Sequence, residues 1–268
     1  IPEHIPGVIA GVFSGFSVAS VVGVPIASTI TQAFGWRAAF ITIFVATLAL
    51  LALLFVKLPR QNRLKAGSIL EQFKLFLDKR ISIGCAIVFL AGASTYCFYT
   101  YLTPIFQQEL HIPDSMLSLA LLIFGIAAIT SNVSSGQVAN KTGIRLLPLI
   151  YVIQTVCLLL LPIATHNLVS GGLVLFILGV MMYLLNSPLQ MHFLKIATRE
   201  HPACVNLASS LISVFFNFGI AAGSAMGGVI VKYAGLRFVG IGGAIPGIGA
   251  IICAVILLQI MKPGADIR

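Results

Sequence analysis

Charged side chains are scarce in this sequence, and long stretches have none. Asp, Glu, Lys and Arg make up only 9% of the 268 residues, against roughly 25% in an ordinary soluble domain. That deficit excludes a water-soluble enzyme, a disordered tail and a coiled coil. The seven acids are Glu3, Glu71, Asp78, Glu109, Asp114, Glu200 and Asp266, and each falls in a connector or a tail. No carboxylate therefore stands at membrane depth, where proton relays place one. The chain also lacks a His-Glu-x-x-His zinc motif, a buried acid pair and a Ser-His-Asp candidate, which argues against an intramembrane hydrolase. It has no glycine-rich phosphate loop ending in Lys-Ser or Lys-Thr, so it does not bind ATP in that manner. The five cysteines, Cys85, Cys97, Cys157, Cys204 and Cys253, show no C-x-x-C spacing. An odd count without that spacing argues against a disulfide framework and a cysteine metal site, and buried free thiols are expected. The expectation is a non-enzyme with no metal and no cofactor.

What is present is apolar. Hydrophobic residues make up 59% of the chain, and the mean hydropathy is +1.06. Windows without any Asp, Glu, Lys or Arg run over 4–36, 38–56, 81–108, 115–140, 146–194, 201–231 and 238–261. A membrane helix needs about 20 such residues. The window 146–194 is too long for one span and is interrupted near Pro162 to Asn167, so it holds two. Eight spans are predicted, near 7–31, 37–57, 81–104, 115–138, 146–164, 168–192, 205–231 and 237–261. Residues 38–56 alone carry twelve Leu, Ile, Phe or Val, contributing about −5 kcal/mol toward insertion.

The net charge of +9 gathers in the connectors, without a basic face, which speaks against nucleic acid as a partner. With a cytosolic N-terminus, the inner connectors carry Lys57, Arg60, Arg63, Lys65, Lys74, Lys79, Arg80, Lys141, Arg145, Lys195, Arg199, Lys262 and Arg268. The outer ones carry Arg37, Lys232 and Arg237. The positive-inside rule then places both termini in the cytosol. Within the connector 58–80, Ser68 and Glu71 fit a capping box. Ile69, Leu70, Phe73, Phe76 and Leu77 then share a helical face, which reads as an amphipathic helix on the inner membrane surface or as a mobile basic linker.

Small and polar residues form stripes within the spans. Gly11, Gly15, Ala19, Gly23 and Ala27 repeat every four residues in the first span, with Pro25 as a kink. Close helix packing and a direct transport role are both open readings. In the seventh span Asn206, Ser210, Ser213 and Asn217 form a polar stripe, and Gly219, Gly223 and Gly227 a small-residue stripe on another side. The polar stripe is either a cavity wall or a set of interhelical hydrogen bonds. Tyr96, Tyr99, Thr100 and Tyr101 crowd the third span. Asn132 and Ser135 lie in the fourth, Gln154 in the fifth, and Asn186 and Gln190 in the sixth. His192 reads as an interface residue rather than a proton carrier. The candidate solute contacts are Tyr96, Tyr101, Asn132, Asn186, Gln190, Ser210, Ser213 and Asn217.

Residues 15–37, GFSVASVVGVPIASTITQAFGWR, resemble the fifth-helix motif of the major facilitator superfamily, in particular its drug:proton antiporter branch with its arabinose-efflux-like permeases. The matching residues are Gly23, Pro25, Phe34, Gly35, Trp36 and Arg37, while Ala27 and Ser28 depart from the family form. Thr100-Tyr101-Leu102-Thr103-Pro104 resembles the seventh-helix ending. Gly136 through Arg145 resembles the loop motif between helices eight and nine, with Asn140 in place of the usual aspartate. Residues 206–228 resemble the eleventh helix. The resemblance implies an all-α membrane fold of twelve helices, of which this chain supplies eight. Its opening, Ile1-Pro2-Glu3-His4, resembles the connector before helix five, so a truncation lacking helices one to four is expected. The domains would be 1–57, the last two helices of the N-terminal half; 58–80, the cytosolic connector; and 81–268, a complete C-terminal six-helix half. The implied activity is proton-coupled efflux of a small solute (a drug, sugar or nucleoside) across a bacterial inner membrane by alternating access. A facilitator or importer of the same fold and a non-transporting fragment are the alternatives. The partners are the lipid bilayer, the solute and the proton. Gly15, Gly23, Pro25, Gly136, Asn140, Lys141, Gly143, Arg145, Gly219, Gly223 and Gly227 would be structural or gating positions.

Overall fold

The computed structural model describes residues 33–57 and 75–261, together with residues 23, 26, 27 and 29–31. Among them there is no strand. Eight long helices follow one another: α1 (Trp36–Lys57), α2 (Lys79–Tyr99), α3 (Asp114–Lys141), α4 (Leu147–Ala164), α5 (Leu168–Met181), α6 (Asn186–Glu200), α7 (Val205–Tyr233) and α8 (Val239–Ile260). With α5 and α6 taken as one interrupted crossing, they make seven spans long and apolar enough for a membrane. A helix satisfies its own backbone, which is why lipid-embedded chains adopt it. The first predicted span lies largely outside the described residues, including Gly15 and Pro25; the described positions Gly23, Ile26, Ala27 and Thr29–Thr31 are helical. Most of the connector 58–80 also lies outside them. In its described end Leu75 is fully buried and Leu77 is 81% exposed, so Leu77 is turned away from the core and Leu75 into it.

Helix ends follow local chemistry. The Asp78 carboxylate caps α2 by accepting from the Arg80 amide at 2.9 Å, and Asn167 caps α5 through the Val169 amide at 2.9 Å, each satisfying an orphan donor. After α3, Gly143 adopts φ +56°, the left-handed conformation that ends a helix most easily with glycine. The third predicted span does not run straight to residue 104. α2 stops at Tyr99, and a turn, a short helix at Leu102–Pro104 and a π-helical segment at Ile105–Glu109 follow. Pro104 has no amide to offer Thr100, four residues earlier, so the α-helical ladder cannot continue.

Of six spans, five close into a ring and the sixth, α3, packs on one of them. α2 packs between α7 and α8. α8 packs on α4, α4 on α5, α3 on both α5 and α6, and α6 returns to α7. Exchanging the first three spans (α2, α3, α4) with the last three (α5/α6, α7, α8) maps these contacts onto one another, except that α6–α7 has no counterpart between α2 and α3. Outside the ring α1 buries only Ala39. The ring turns apolar side chains such as Ile163, Val169, Ile245 and Ile252 outward, as lipid requires.

Lipid supplies no hydrophobic force between helices, so association rests on close packing. α7 meets α2 along its glycine stripe. A Cβ at Gly223 would collide with the Ala93 carbonyl oxygen and lie 2.8 Å from the Ala93 Cα, and one at Gly219 would reach the Phe89 carbonyl and Gly92 Cα. These obstacles are backbone, so neither helix can yield locally. At one end of the ring Arg80 ties α2 to α6. Its guanidinium bonds Asp78 at 2.6 Å and also pairs with Glu200. Asp78, Glu200 and His201 lie close enough to suggest a metal site, but the Arg80 guanidinium already supplies the cation between the two acids. Burial pushes the Asp78 carboxyl up, yet its hydrogen bonds and charge pairing with Arg80 outweigh this and hold it below its ordinary value. At the other end Arg237 donates to the Pro162 carbonyl at 2.9 Å and contacts His166, tying α4 to the start of α8.

Two predictions follow from these contacts. Gly223→Ala should destabilise the detergent-solubilised protein by about 1–3 kcal/mol through overpacking. Gly172→Ala in α5, where a Cβ meets nothing within 4 Å, should be neutral or stabilising by up to about 1 kcal/mol; equal melting shifts for the two would contradict the glycine interface. Because Asp78 is depressed in the folded state, its contribution is present above the unfolded carboxylate value of about 3.9 and is lost as pH falls through the lower folded value. Arg80→Ala should lower the melting point at neutral pH and flatten the acid limb of a melting-versus-pH curve; an unchanged acid limb would remove this role.

Candidate solute pathway

The span expected as one helix over 168–192 is interrupted. α5 ends at Met181 and α6 begins at Asn186, with a turn over residues 182–185 that is entirely buried. The reason lies in the sequence: Pro188 has no amide to donate to the Leu184 carbonyl. Two serines of α3 serve the freed groups. The Tyr183 amide donates to Ser131 Oγ at 2.8 Å and the Ser187 amide to Ser135 Oγ at 2.8 Å, while Ser135 Oγ donates to the Leu184 carbonyl at 3.1 Å.

The Tyr183 side chain leaves this break toward α2 and α7. Its phenol group faces that of Tyr96. Its ring lies 6.4 Å from Phe216, which stacks edge-on with Tyr96 at 5.8 Å. Tyr99 continues the cluster, 5.2 Å from Tyr96 and 5.6 Å from Phe124 of α3. Four spans thus meet in one patch of aromatic rings and phenol groups. Deeper in the ring, the Gln154 carboxamide donates to Thr95 Oγ1 at 3.0 Å and Ser94 Oγ at 3.4 Å. A Cβ at Gly247 of α8 would lie 2.6 Å from Thr155 Oγ1. This polar knot is buried and joins α2, α4 and α8.

The sequence candidates divide into separate groups. Tyr96 is half-buried in the aromatic patch. Asn132 is half-buried beside Ser131. Asn186 and Gln190 are buried on α6, and the Gln190 carboxamide donates to the Ser209 carbonyl of α7 at 3.1 Å. Ser210, Ser213 and Asn217 are exposed on α7, on the side away from its glycines. Ser210 and Asn217 bond back to their own helix at Leu207 and Ser213. Tyr101 stands apart from all of these. Its ring covers Gly227 and its hydroxyl approaches Gly228, which places it in the α2–α7 contact, near the Thr100–Ser224 hydroxyl pair at 2.8 Å.

Of the gating candidates, Gly219, Gly223 and Gly227 face α2. Gly136 meets nothing within 4 Å where a Cβ would stand, and Gly143 makes the turn after α3. Asn140, Lys141 and Arg145 are exposed around that turn. Four cysteines are buried free thiols and Cys253 is only half-buried. Sequence reasoning missed Tyr183 and Ser131. Pro188, placed four residues after Leu184, was the available signal.

Comparison with known proteins gives these features a setting. The sequence profile of the Major Facilitator Superfamily matches residues 1–206. The chain is 31% identical over 255 residues to the uncharacterized MFS-type transporter YbcL of Bacillus subtilis (strain 168), covering 94% of this chain and 64% of that protein. It is 30% identical over 243 residues to the uncharacterized MFS-type transporter YtbD of the same organism, covering 90% and 61%. It is 28% identical over 232 residues to a probable sugar efflux transporter of Pasteurella multocida (strain Pm70), covering 86% and 56%. The chain therefore spans 56–64% of the length of these relatives. The family is one of transporters, not enzymes. With a profile match over 206 of its 268 residues and an all-helical, multi-pass membrane architecture, the chain belongs to the Major Facilitator Superfamily.

Proposed function

We propose that this chain forms part of a proton-coupled exporter of a small uncharged solute, with a polyhydroxylated compound such as a sugar as its substrate class. The observation that carries the reading is the exposed polar face of α7. Asn206, Ser210, Ser213 and Asn217 lie along one side of a helix whose opposite side is buried by glycines against α2. The Ser213 carbonyl takes one N–H of the Asn217 carboxamide, and hydrocarbon could not serve its other N–H or its oxygen, so this face belongs against a water-filled path or a second polypeptide surface. The spans carry no carboxylate that would attract a cationic solute, and hydroxyl, amide and aromatic groups suit a neutral ring-bearing one. The name of the Pasteurella relative supports export of a sugar.

In this reading residues 81–268 form the C-terminal half, whose exchange pattern of contacts suits two triplets of inverted topology. Residues 1–57 pack with the facing half, and 58–80 connect the two. Tyr96, Asn132, Asn186, Gln190, Ser210, Ser213 and Asn217 line or support the path. Tyr101 and the glycines set helix spacing. The membrane is a bacterial inner membrane with the 58–80 connector on its cytosolic side. Facilitated diffusion is a second reading, favoured by the absence of any acid in the predicted spans.

Inside-out membrane vesicles containing the protein provide the test, with labelled neutral monosaccharides and an acid-inside gradient. Export coupled to protons predicts uptake that a protonophore abolishes. Uptake indifferent to the protonophore selects facilitated diffusion, and no uptake of any neutral sugar above protein-free vesicles rejects the proposed substrate class. Asn217→Leu should reduce uptake about tenfold at unchanged membrane level, the worth of one lost hydrogen bond.

A further inference from the structure

The interruption of the α5/α6 span has the properties of a switchable joint. Two amides four residues apart, Tyr183 and Ser187, meet two hydroxyls four residues apart, Ser131 and Ser135. Both pairs have the same offset of 52 residues, as parallel neighbouring spans require. Both serines are completely buried, so water does not compete for these groups. Gly179, immediately before the break, lets α5 approach α3 closely: a Cβ there would lie 2.9 Å from that of Ala127.

Straightening the span would return the Tyr183 amide to the Gly179 carbonyl and the Ser187 amide to the Tyr183 carbonyl. The Leu184 carbonyl, facing Pro188, would lose its donor, and the Ser131 and Ser135 hydroxyls would lose these partners. The bent form therefore holds three hydrogen bonds where the straight form holds two, so the serines of α3 set the balance between the two states. The exchange also moves a side chain. Tyr183 packs on Phe216 of α7, which in turn packs on Tyr96 of α2, so rotating its backbone would withdraw it from the patch beside the polar face of α7.

We propose that residues 182–185 are a hinge in the α5/α6 span, latched by Ser131 and Ser135 of α3, and that Tyr183 is the positioning residue through which the hinge sets Tyr96. The latch depends on the membrane fold alone, not on the identity of the solute or the coupling ion.

Hydrogen exchange on the purified full chain in lipid nanodiscs tests it. In Ser131→Ala/Ser135→Ala, peptides covering 182–188 should exchange at least about tenfold faster, while peptides from α4 and α8 keep wild-type rates. Ser135→Thr retains the hydroxyl and should exchange more slowly at 182–188 than the double alanine variant. Pro188→Ala supplies a new amide for the Leu184 carbonyl, so Ser135→Ala/Pro188→Ala should recover melting stability that Ser135→Ala alone loses. If the double serine variant does not fold, Ser131→Ala alone reads the Tyr183 amide. Unchanged exchange at 182–188, a rise spread evenly over every helix, or no rescue by Pro188→Ala would overturn the latch.

Discussion

Every backbone amide and carbonyl at membrane depth must find its partner inside the protein, and the rest of this structure depends on that constraint. Regular helices meet it without help. Prolines break it, and three of the described ones are handled differently. Pro104 ends α2 and is followed by a π-helical segment whose Leu110 amide reaches back to Ile105. Pro162 leaves the Leu158 carbonyl without its helical donor, and Gly240 of α8 approaches that carbonyl closely enough that a Cβ would collide with it. Pro188 frees the Leu184 carbonyl, and a serine on a neighbouring helix takes the role of the missing amide.

The same constraint explains what could be read from the sequence. Charges end where hydrocarbon begins, so the window predicted at 146–164 corresponds to α4 at Leu147–Ala164, and 205–231 to α7 at Val205–Tyr233. Helical periodicity separated the glycine side of α7 from its polar side, and the structure places those sides against α2 and on the surface respectively. Hydropathy records composition and not hydrogen bonding, so the buried turn at Met-Tyr-Leu-Leu looked like continuous helix. Ser131 was indistinguishable from any other small residue in an apolar segment. Tyr101 shared a tyrosine-rich run with Tyr96, yet five residues along a helix turn a side chain to another neighbour. Leu77 fitted a helical face in the pattern but stands outside the core, where Leu75 is buried.

Charge has been moved to the two ends of the ring, and there it is used. Arg80 holds the start of α2 to the end of α6, and Arg237 holds the end of α4 to the start of α8. Between these ends the described spans are joined by backbone contact, aromatic rings and neutral hydrogen bonds. The described spans present no fixed charge between those ends. In the proposed reading, discrimination would rest on shape, stacking and hydroxyl or amide partners.

The central claim is that the polar side of α7 faces water while the ring's outer surface faces lipid. Single cysteines placed at Asn206, Ser210, Ser213 and Asn217, and for comparison at Ile245 and Ile252 of α8, measure this directly with a membrane-impermeant thiol reagent in intact membranes. The account predicts modification along the α7 stripe and none at the two α8 positions. Protection of Ser213 and Asn217 equal to that of Ile252, or labelling at both sets alike, would contradict it.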